Sequence, residues 1–227
     1  MRVVIAGAGS VGRSIARELL VSGHDVTLVD RSPGAMRVAQ VAEADWLLAD
    51  ACELATLSAA RVDECDVVVA ATGDDKANLV ISLLARTEYG VPRTVARVNN
   101  PKNEWMFDEA WGVDVAVSTP RIMTAMVEEA VAVGDLVKIF TFHQSGADIL
   151  ELTLPEGSPL VGVRVGTIAW PQDVVLACIV RGPRPLSPSA DDTLEAGDEL
   201  LFVTGSEVDL AALQDQLVGR GATSATA

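Results

Sequence analysis

Basic residues are scarce in this chain. Seventeen Lys and Arg face 32 Asp and Glu, for a net charge of −15 over 227 residues. A surface that acidic repels phosphate backbones and anionic lipid, so no nucleic-acid partner is expected. Histidine occurs twice, at His24 and His143, and cysteine three times, at Cys52, Cys65 and Cys178. The cysteines are isolated and odd in number, which excludes a disulfide framework and a zinc knuckle and reads as reduced thiols of a cytosolic protein. Aromatic residues make up only 4% of the chain. No apolar run approaches the roughly 18–20 residues of a spanning helix, so no direct membrane insertion is expected and any work at a membrane goes through a partner. The chain opens straight into a strand-like run with no signal-peptide pattern.

Apolar residues, by contrast, make up 49% of the chain, enough for a substantial core. Over the first 118 residues short Val/Ile/Ala runs alternate with helical patterns. Strands are expected at 2–6, 25–29, 45–49, 66–71, 94–98 and 114–117, each apolar on both faces. Helices are expected at 10–21, 33–41, 53–60, 76–88 and 102–111, and a further helix over 120–133. This alternation predicts an α/β fold: a Rossmann-like doubly wound parallel sheet. After Gly134 the texture changes to strands at 139–142, 149–154, 174–180 and 199–203, separated by turn-rich "PEGSP", "GPRPLSPSAD" and "EAGD". A helix over 206–217 follows. The reading is a nucleotide-binding domain at 1–133, a smaller α+β domain at 134–218 and a disordered tail at 219–227.

The chemistry is concentrated at the carboxyl ends of the first strands. "GAGSVG" comprises Gly7, Ala8, Gly9, Ser10, Val11 and Gly12. It lies between a strand and a helix, the context that makes G-x-G-x-x-G a dinucleotide signal. Gly7 allows the tight turn, Gly9 lets backbone approach a pyrophosphate, and Gly12 lets the helix lie close to the sheet. The helix N-terminus offers free N–H groups to phosphate. Asp30, 18 residues after Gly12, ends the second strand where a carboxylate accepts ribose hydroxyls, with Arg31 beside it. Asp50 and Ala51 follow the third strand and face the adenine side. Thr72 and Gly73 end the fourth strand, and Asp75 and Asn78 begin the next helix, placed either for ligand contact or for helix capping. Arg97 ends the fifth strand as a phosphate contact or a surface ion pair. Ligands of open α/β sheets bind along this edge.

A catalytic group is harder to find. His24 falls on the opposite edge of the sheet, and His143 lies past a strand of the second domain. Neither has a Ser, Cys or Asp partner in a recognisable arrangement, no metal-ligand spacing occurs, and no general acid can be named. A binding protein rather than an enzyme is expected, the alternative being an NAD-dependent oxidoreductase with its substrate site between the domains.

The stretches "MRVVIAGAGSVGRSIARELLVSGHDVTLVDRSP", "ADACELATLSAARVDECDVVVAATGDDKANL" and "ARVNNP…GVDVAVSTP" resemble the RCK (KTN) nucleotide-binding domain of Trk/Ktr-type potassium-uptake regulators. "GSPLVGVRVGTIAWPQDVVLACIVRGPRPLSPSADDTLEAGDELLFVTGSEVDL" is similar to the C-terminal RCK domain of the same family. The resemblance spans about residues 1–218. It implies a cytoplasmic subunit, peripheral to the inner face of the membrane, that gates a potassium-translocating membrane subunit. It also implies a homo-oligomer, a dimer assembling into a tetrameric or octameric ring, that binds NAD(H) or ADP/ATP. By residue, Gly7, Gly9 and Gly12 match the phosphate loop, Asp30 the ribose acid and Asp50 the adenine-side acid. Thr72, Gly73, Asp75 and Asn78 match a T-G-x-D-x-x-N element, and Arg97 the basic residue after the fifth strand. Ser10 stands where some relatives carry an Arg that meets the terminal phosphate of ATP. Arg121 replaces a Glu that relatives use near a divalent cation.

Overall fold

A computed structural model describes residues 1–131, 134–142 and 145–219. The chain folds as two compact units, Met1–Arg121 and Ile122–Ala227.

The first unit is a six-stranded parallel sheet in the order β3-β2-β1-β4-β5-β6. Its strands are β1 (Arg2–Ala6), β2 (Asp25–Asp30), β3 (Asp45–Leu48), β4 (Val67–Ala70), β5 (Arg93–Val98) and β6 (Val115–Ser118). The helices α1 (Ser10–Val21), α2 (Leu54–Ala59) and α3 (Asp75–Thr87) cross between them. Burial on both faces explains the unbroken apolar runs. Along β1, Val3 and Ile5 pack with Ala16 of α1 and Leu28 of β2. Val4 and Ala6 point the other way, to Leu57 of α2 and to Leu79, Ile81 and Ala85 of α3. Strand order reverses at β1, between β2 and β4, and the carboxyl ends of β1, β2 and β4 therefore border one crevice.

Two expected helices take another form. Residues 33–41 make two short 3-10 turns, Pro33–Ala35 and Val38–Gln40. Ser32 gives no side-chain cap, and Gly34 together with β-branched Val38 and Val41 weakens helix propensity, so the nine-residue segment has too little to propagate a helix. Residues 102–111 likewise form 3-10 turns at Pro101–Met106 and Glu109–Trp111. They part at Phe107, which is buried, and Asp108, whose side chain accepts from the N–H groups of Ala110 and Trp111 and starts a new turn.

β6 runs directly into α4 (Thr119–Val131), the helix expected over 120–133; its last two expected residues, 132 and 133, lie outside the described residues. The second unit is built on a five-stranded antiparallel sheet in the order β10-β9-β11-β8-β7. Its strands are β7 (Val137–Thr141), β8 (Asp148–Thr153), β9 (Val174–Arg181), β10 (Arg184–Leu186) and β11 (Glu199–Thr204). β10 is an addition to the expected strands, because Pro185 argues against a central strand; it lies at the sheet edge, where the missing N–H costs nothing. Helix α5 (Leu210–Val218) starts later than the apolar pattern suggests, since Asp209 caps it through the N–H groups of Ala211 and Ala212. Leu213 and Leu217 of α5 pack with Leu150, Leu152, Leu200 and Phe202 of the sheet. His143 and the tail beyond residue 219 lie outside the described residues.

Candidate functional site

A cleft of about 500 Å³ opens along the carboxyl edge of the parallel sheet. Its floor is the turn from β1 into α1. Gly7 holds φ at +107°, and a Cβ there would come within 2.8 Å of the Ala71 and Thr72 backbone. A Cβ on Gly12 would lie 1.8 Å from the Gly7 carbonyl oxygen, so only glycine lets α1 approach the turn this closely. Gly9 differs from both. Nothing lies within 4 Å of the position its Cβ would take, which leaves open space over the loop. Gly9 is also the N-cap of α1 and supplies no side-chain bond, and no acidic residue occupies the first turn. The leading N–H groups of the helix and its positive dipole end thus face the cleft uncompensated, a ready anion cradle.

Asp30 closes β2 at one side of the cleft. Its Oδ2 accepts from the Ala8 N–H at 2.7 Å and its Oδ1 from the Ser32 N–H at 2.8 Å. These two bonds fix the carboxylate plane, and each oxygen retains a further acceptor site toward the cleft. Beyond it, Asp50 accepts from the Cys52 N–H at 3.0 Å and pairs with Arg31 at 3.4 Å. The Cys52 N–H bond, with help from Arg31, holds the Asp50 carboxyl below its usual range against the opposing effect of burial. The Cys52 thiol, in the same cleft, is pushed up to about 11, first by burial and then by the Asp50 charge. It is therefore a protonated thiol at neutral pH and a poor nucleophile.

The structure brings Gly7, Gly9, Ser10, Val11, Asp30, Arg31, Asp50, Ala51, Thr72, Gly73 and Arg97 to the cleft wall. The other four expected residues stand behind it. Ala8 is fully buried and contributes its N–H to Asp30, and Gly12 serves packing. Asn78 is fully buried. Its Oδ1 accepts from the Thr72 N–H at 2.9 Å and the Thr72 hydroxyl at 2.6 Å, while its Nδ2 donates to the Arg97 carbonyl at 2.8 Å. It clamps two cleft-lining segments together. Asp75 does not line the cleft and does not cap the helix. Its carboxylate accepts from the N–H groups of Asn99 and Asn100 at 2.6 and 3.0 Å and from the side-chain amides of Asn99 and Asn103 at 3.0 and 2.8 Å. Burial works to raise the Asp75 carboxyl, and this set of donors outweighs it and holds the group below its usual range. The cap of α3 is Asp74, which accepts from the Lys76 N–H at 2.9 Å and also lines the cleft.

Sequence reasoning passes over Ser32, Cys52, Asp74, Ala77 and Ile81 on the cleft wall. The spacing Asp50-x-Cys52 and the doubled acid Asp74-Asp75 are available signals. Ala77 and Ile81, four apart on α3, look in sequence like any other core positions. Among the described residues no group of three or more His, Cys, Asp or Glu side chains is placed to hold a metal ion, and all three cysteines are free.

Comparison with known proteins gives the family of the chain. The TrkA-N domain model matches residues 3–119, over half of the chain and the whole of the cleft. The chain belongs to the TrkA family. The TrkA-C domain model matches residues 149–217, within the antiparallel unit. The chain is similar to the Trk system potassium uptake protein TrkA of Mycobacterium tuberculosis, at 54% identity over 92% of this chain and 95% of that protein. It is also similar to a TrkA homolog of Methanothermobacter thermautotrophicus, at 33% identity over 88% of this chain and 92% of that protein. Among solved structures, the GsuK channel bound to NAD shares the fold with a TM-score of 0.67 at 18% identity, over 96% of this chain and 39% of that one. The curated relatives named above carry names for potassium uptake rather than for a catalysed reaction.

Proposed function

We propose that the protein is a nucleotide-sensing regulatory subunit of a potassium-uptake system. The observation that carries this reading is the junction of three features at one crevice: the open space over Gly9, the uncapped N-terminus of α1 and the anchored Asp30 carboxylate. Together they fit a dinucleotide or an adenine nucleotide. Gly7, Gly9, Ser10 and Val11 would hold phosphate, Asp30 the ribose hydroxyls, and Asp50 with Arg31 the adenine side. NAD(H), ADP and ATP are the ligand class, and the NAD-bound relative in fold supports it.

The partner is a potassium-translocating membrane subunit, in keeping with the names of the relatives. Among the described residues no helix is long and apolar enough to cross a membrane, which supports a role reached through that partner at the inner face of the membrane. The protein works as a homo-oligomer, a dimer assembling into a tetrameric or octameric ring, whose shape follows the bound nucleotide. A ligand shifts such an assembly only by its difference in affinity between conformations, and a coupling of ~1–3 kcal/mol changes opening several-fold.

Calorimetry with NAD, NADH, ADP and ATP tests the site. Asp30→Ala should weaken binding about 10- to 100-fold, the loss expected for hydrogen bonds to a charged group. Unchanged affinity in that variant would show that the ribose assignment is wrong. NADH should survive incubation with a metabolite panel; its consumption would favour an oxidoreductase instead.

A further inference from the structure

The backbone carbonyl of Ala8, in the glycine turn, has an uncommon partner. Ala8 is fully buried, and a buried carbonyl needs a donor. That donor is no backbone N–H but the guanidinium of Arg13, reaching back from α1 through Nη1. Among the described residues nothing else donates to this oxygen. Arg13 lies near the start of α1, where the helix dipole disfavours a cation, so the dipole does not account for its presence. On the other side of the residue, the Ala8 N–H donates to Asp30 at 2.7 Å. Gly9 comes next and lines the cleft, whereas Ala8 and Arg13 do not. Among the described residues no backbone carbonyl or side chain takes the Gly9 N–H.

We propose that Arg13 is a positioning residue for phosphate recognition, holding the Ala8–Gly9 peptide so that the Gly9 N–H faces the ligand; the inference rests on the nucleotide reading above. The Ala8 carbonyl and the Gly9 N–H belong to one planar trans peptide and point in opposite directions. Arg13 fixes the carbonyl on the side away from the cleft, and the N–H is thereby turned toward it. Such a peptide rotates as a unit about the bonds that flank it, and glycine at position 9 offers little resistance. Without Arg13 the buried carbonyl loses its donor, and turning toward the water of the cleft restores one. The turned peptide shows an incoming phosphate an oxygen in place of an N–H, which replaces attraction by repulsion. The ribose side is spared. The Ala8 N–H belongs to the preceding peptide, and Asp30 is also held by the Ser32 N–H at 2.8 Å.

The test uses the full chain, with ADP in calorimetry and adenosine followed by its competition with ADP. In Arg13→Met, affinity for ADP should fall about tenfold, the loss of a hydrogen bond to a charged group, while affinity for adenosine stays within about twofold of the parent. A merely structural role would lower both alike. Arg13→Lys keeps a donor for the Ala8 carbonyl and should recover most of the ADP affinity. Arg17→Met removes the same charge one turn further along α1, where Arg17 donates to the Ser14 hydroxyl at 3.0 Å, and should bind ADP like the parent. Thermal melts of the free variants establish that each is folded. Four results overturn the positioning role and leave nucleotide binding intact: equal loss of ADP and adenosine in Arg13→Met, parental ADP affinity in that variant, Arg13→Lys as weak as Arg13→Met, or Arg17→Met as weak as Arg13→Met. Failure of ADP, ATP and NAD alike to bind the parent overturns both readings.

Discussion

One polar cluster from each unit shows a contrast. In the antiparallel unit the cluster around Asp198 is spent internally. Asp198 is 1% exposed and accepts from Arg181 at 2.7 and 2.8 Å and from the Glu195 N–H at 2.8 Å. Arg181 also reaches the Glu195 carboxylate and the Thr193 carbonyl. The cluster ties β9 to the loop before β11. In the parallel unit, polar groups at the sheet edge are held but not used up. Asp30 is anchored by two N–H donors and keeps acceptor capacity, the α1 N-terminus lacks a cap, and Arg97 lacks an acid among the described residues. A buried network satisfied throughout makes a rigid scaffold, and one left incomplete at a concave edge makes a receptor.

That contrast can be broken most strongly at Arg181. Arg181→Ala leaves Asp198 as a buried charge without its cation and should destabilise the antiparallel unit by about 3–5 kcal/mol. Nucleotide affinity should be untouched. Amide exchange resolved by unit checks both points, and equal loosening of the parallel unit would mean the networks are not separate. Gly12→Ala should cost about 1–3 kcal/mol, because its Cβ meets backbone that has no side chain to move aside. It should also abolish nucleotide binding by displacing α1 from the turn. A thermal melt together with calorimetry reads the two effects, and full binding at parental stability would overturn the packing role.

The smallest expected effect is the response to acid. Asp75 and Asp198 both have carboxyl pKa values lowered in the fold from 3.8. At Asp198, Arg181 and the Glu195 N–H outweigh burial. A lowered carboxyl adds stability that is fully present above the unfolded value and is lost as the pH falls through the folded value. Both units should therefore weaken once the pH drops toward and below 3.8. Asp75→Asn should flatten that dependence in the parallel unit alone and Asp198→Asn in the antiparallel unit alone. Amide exchange in steps from about pH 7 to about pH 3 measures this, and an unchanged slope in either variant would remove that residue from the account.

The parallel sheet is legible in sequence because its signals are local. Strands buried on both faces read as unbroken Val/Ile/Ala runs, and a helix reads where apolar positions recur at its period. Gly7, Gly9 and Gly12 are legible for the same reason, since a strand, three glycines and a helix follow one another directly. The segments at 33–41 and 102–111 are not, because helix and 3-10 turn share composition and differ in which tertiary contacts reward them. Just before and within the second of these segments the donors Asn99, Asn100 and Asn103 turn toward Asp75, about 25 residues earlier. Asp75 and Asn78 show the limit most clearly. Sequence places them at the cleft edge, and packing turns them to bind Asn99, Thr72 and the Arg97 carbonyl from behind.

By itself, then, the sequence determined the class of fold, the glycine turn and the acid bonded to it. These depend on residue type and on spacing within one strand–turn–helix unit, where chain connectivity leaves little freedom. Only the tertiary structure decided which polar groups are consumed and which remain open. That outcome depends on neighbours roughly 20 to 30 residues away along the chain, as with Arg97 and Thr119, which meet at 3.2 Å because β5 and β6 lie side by side.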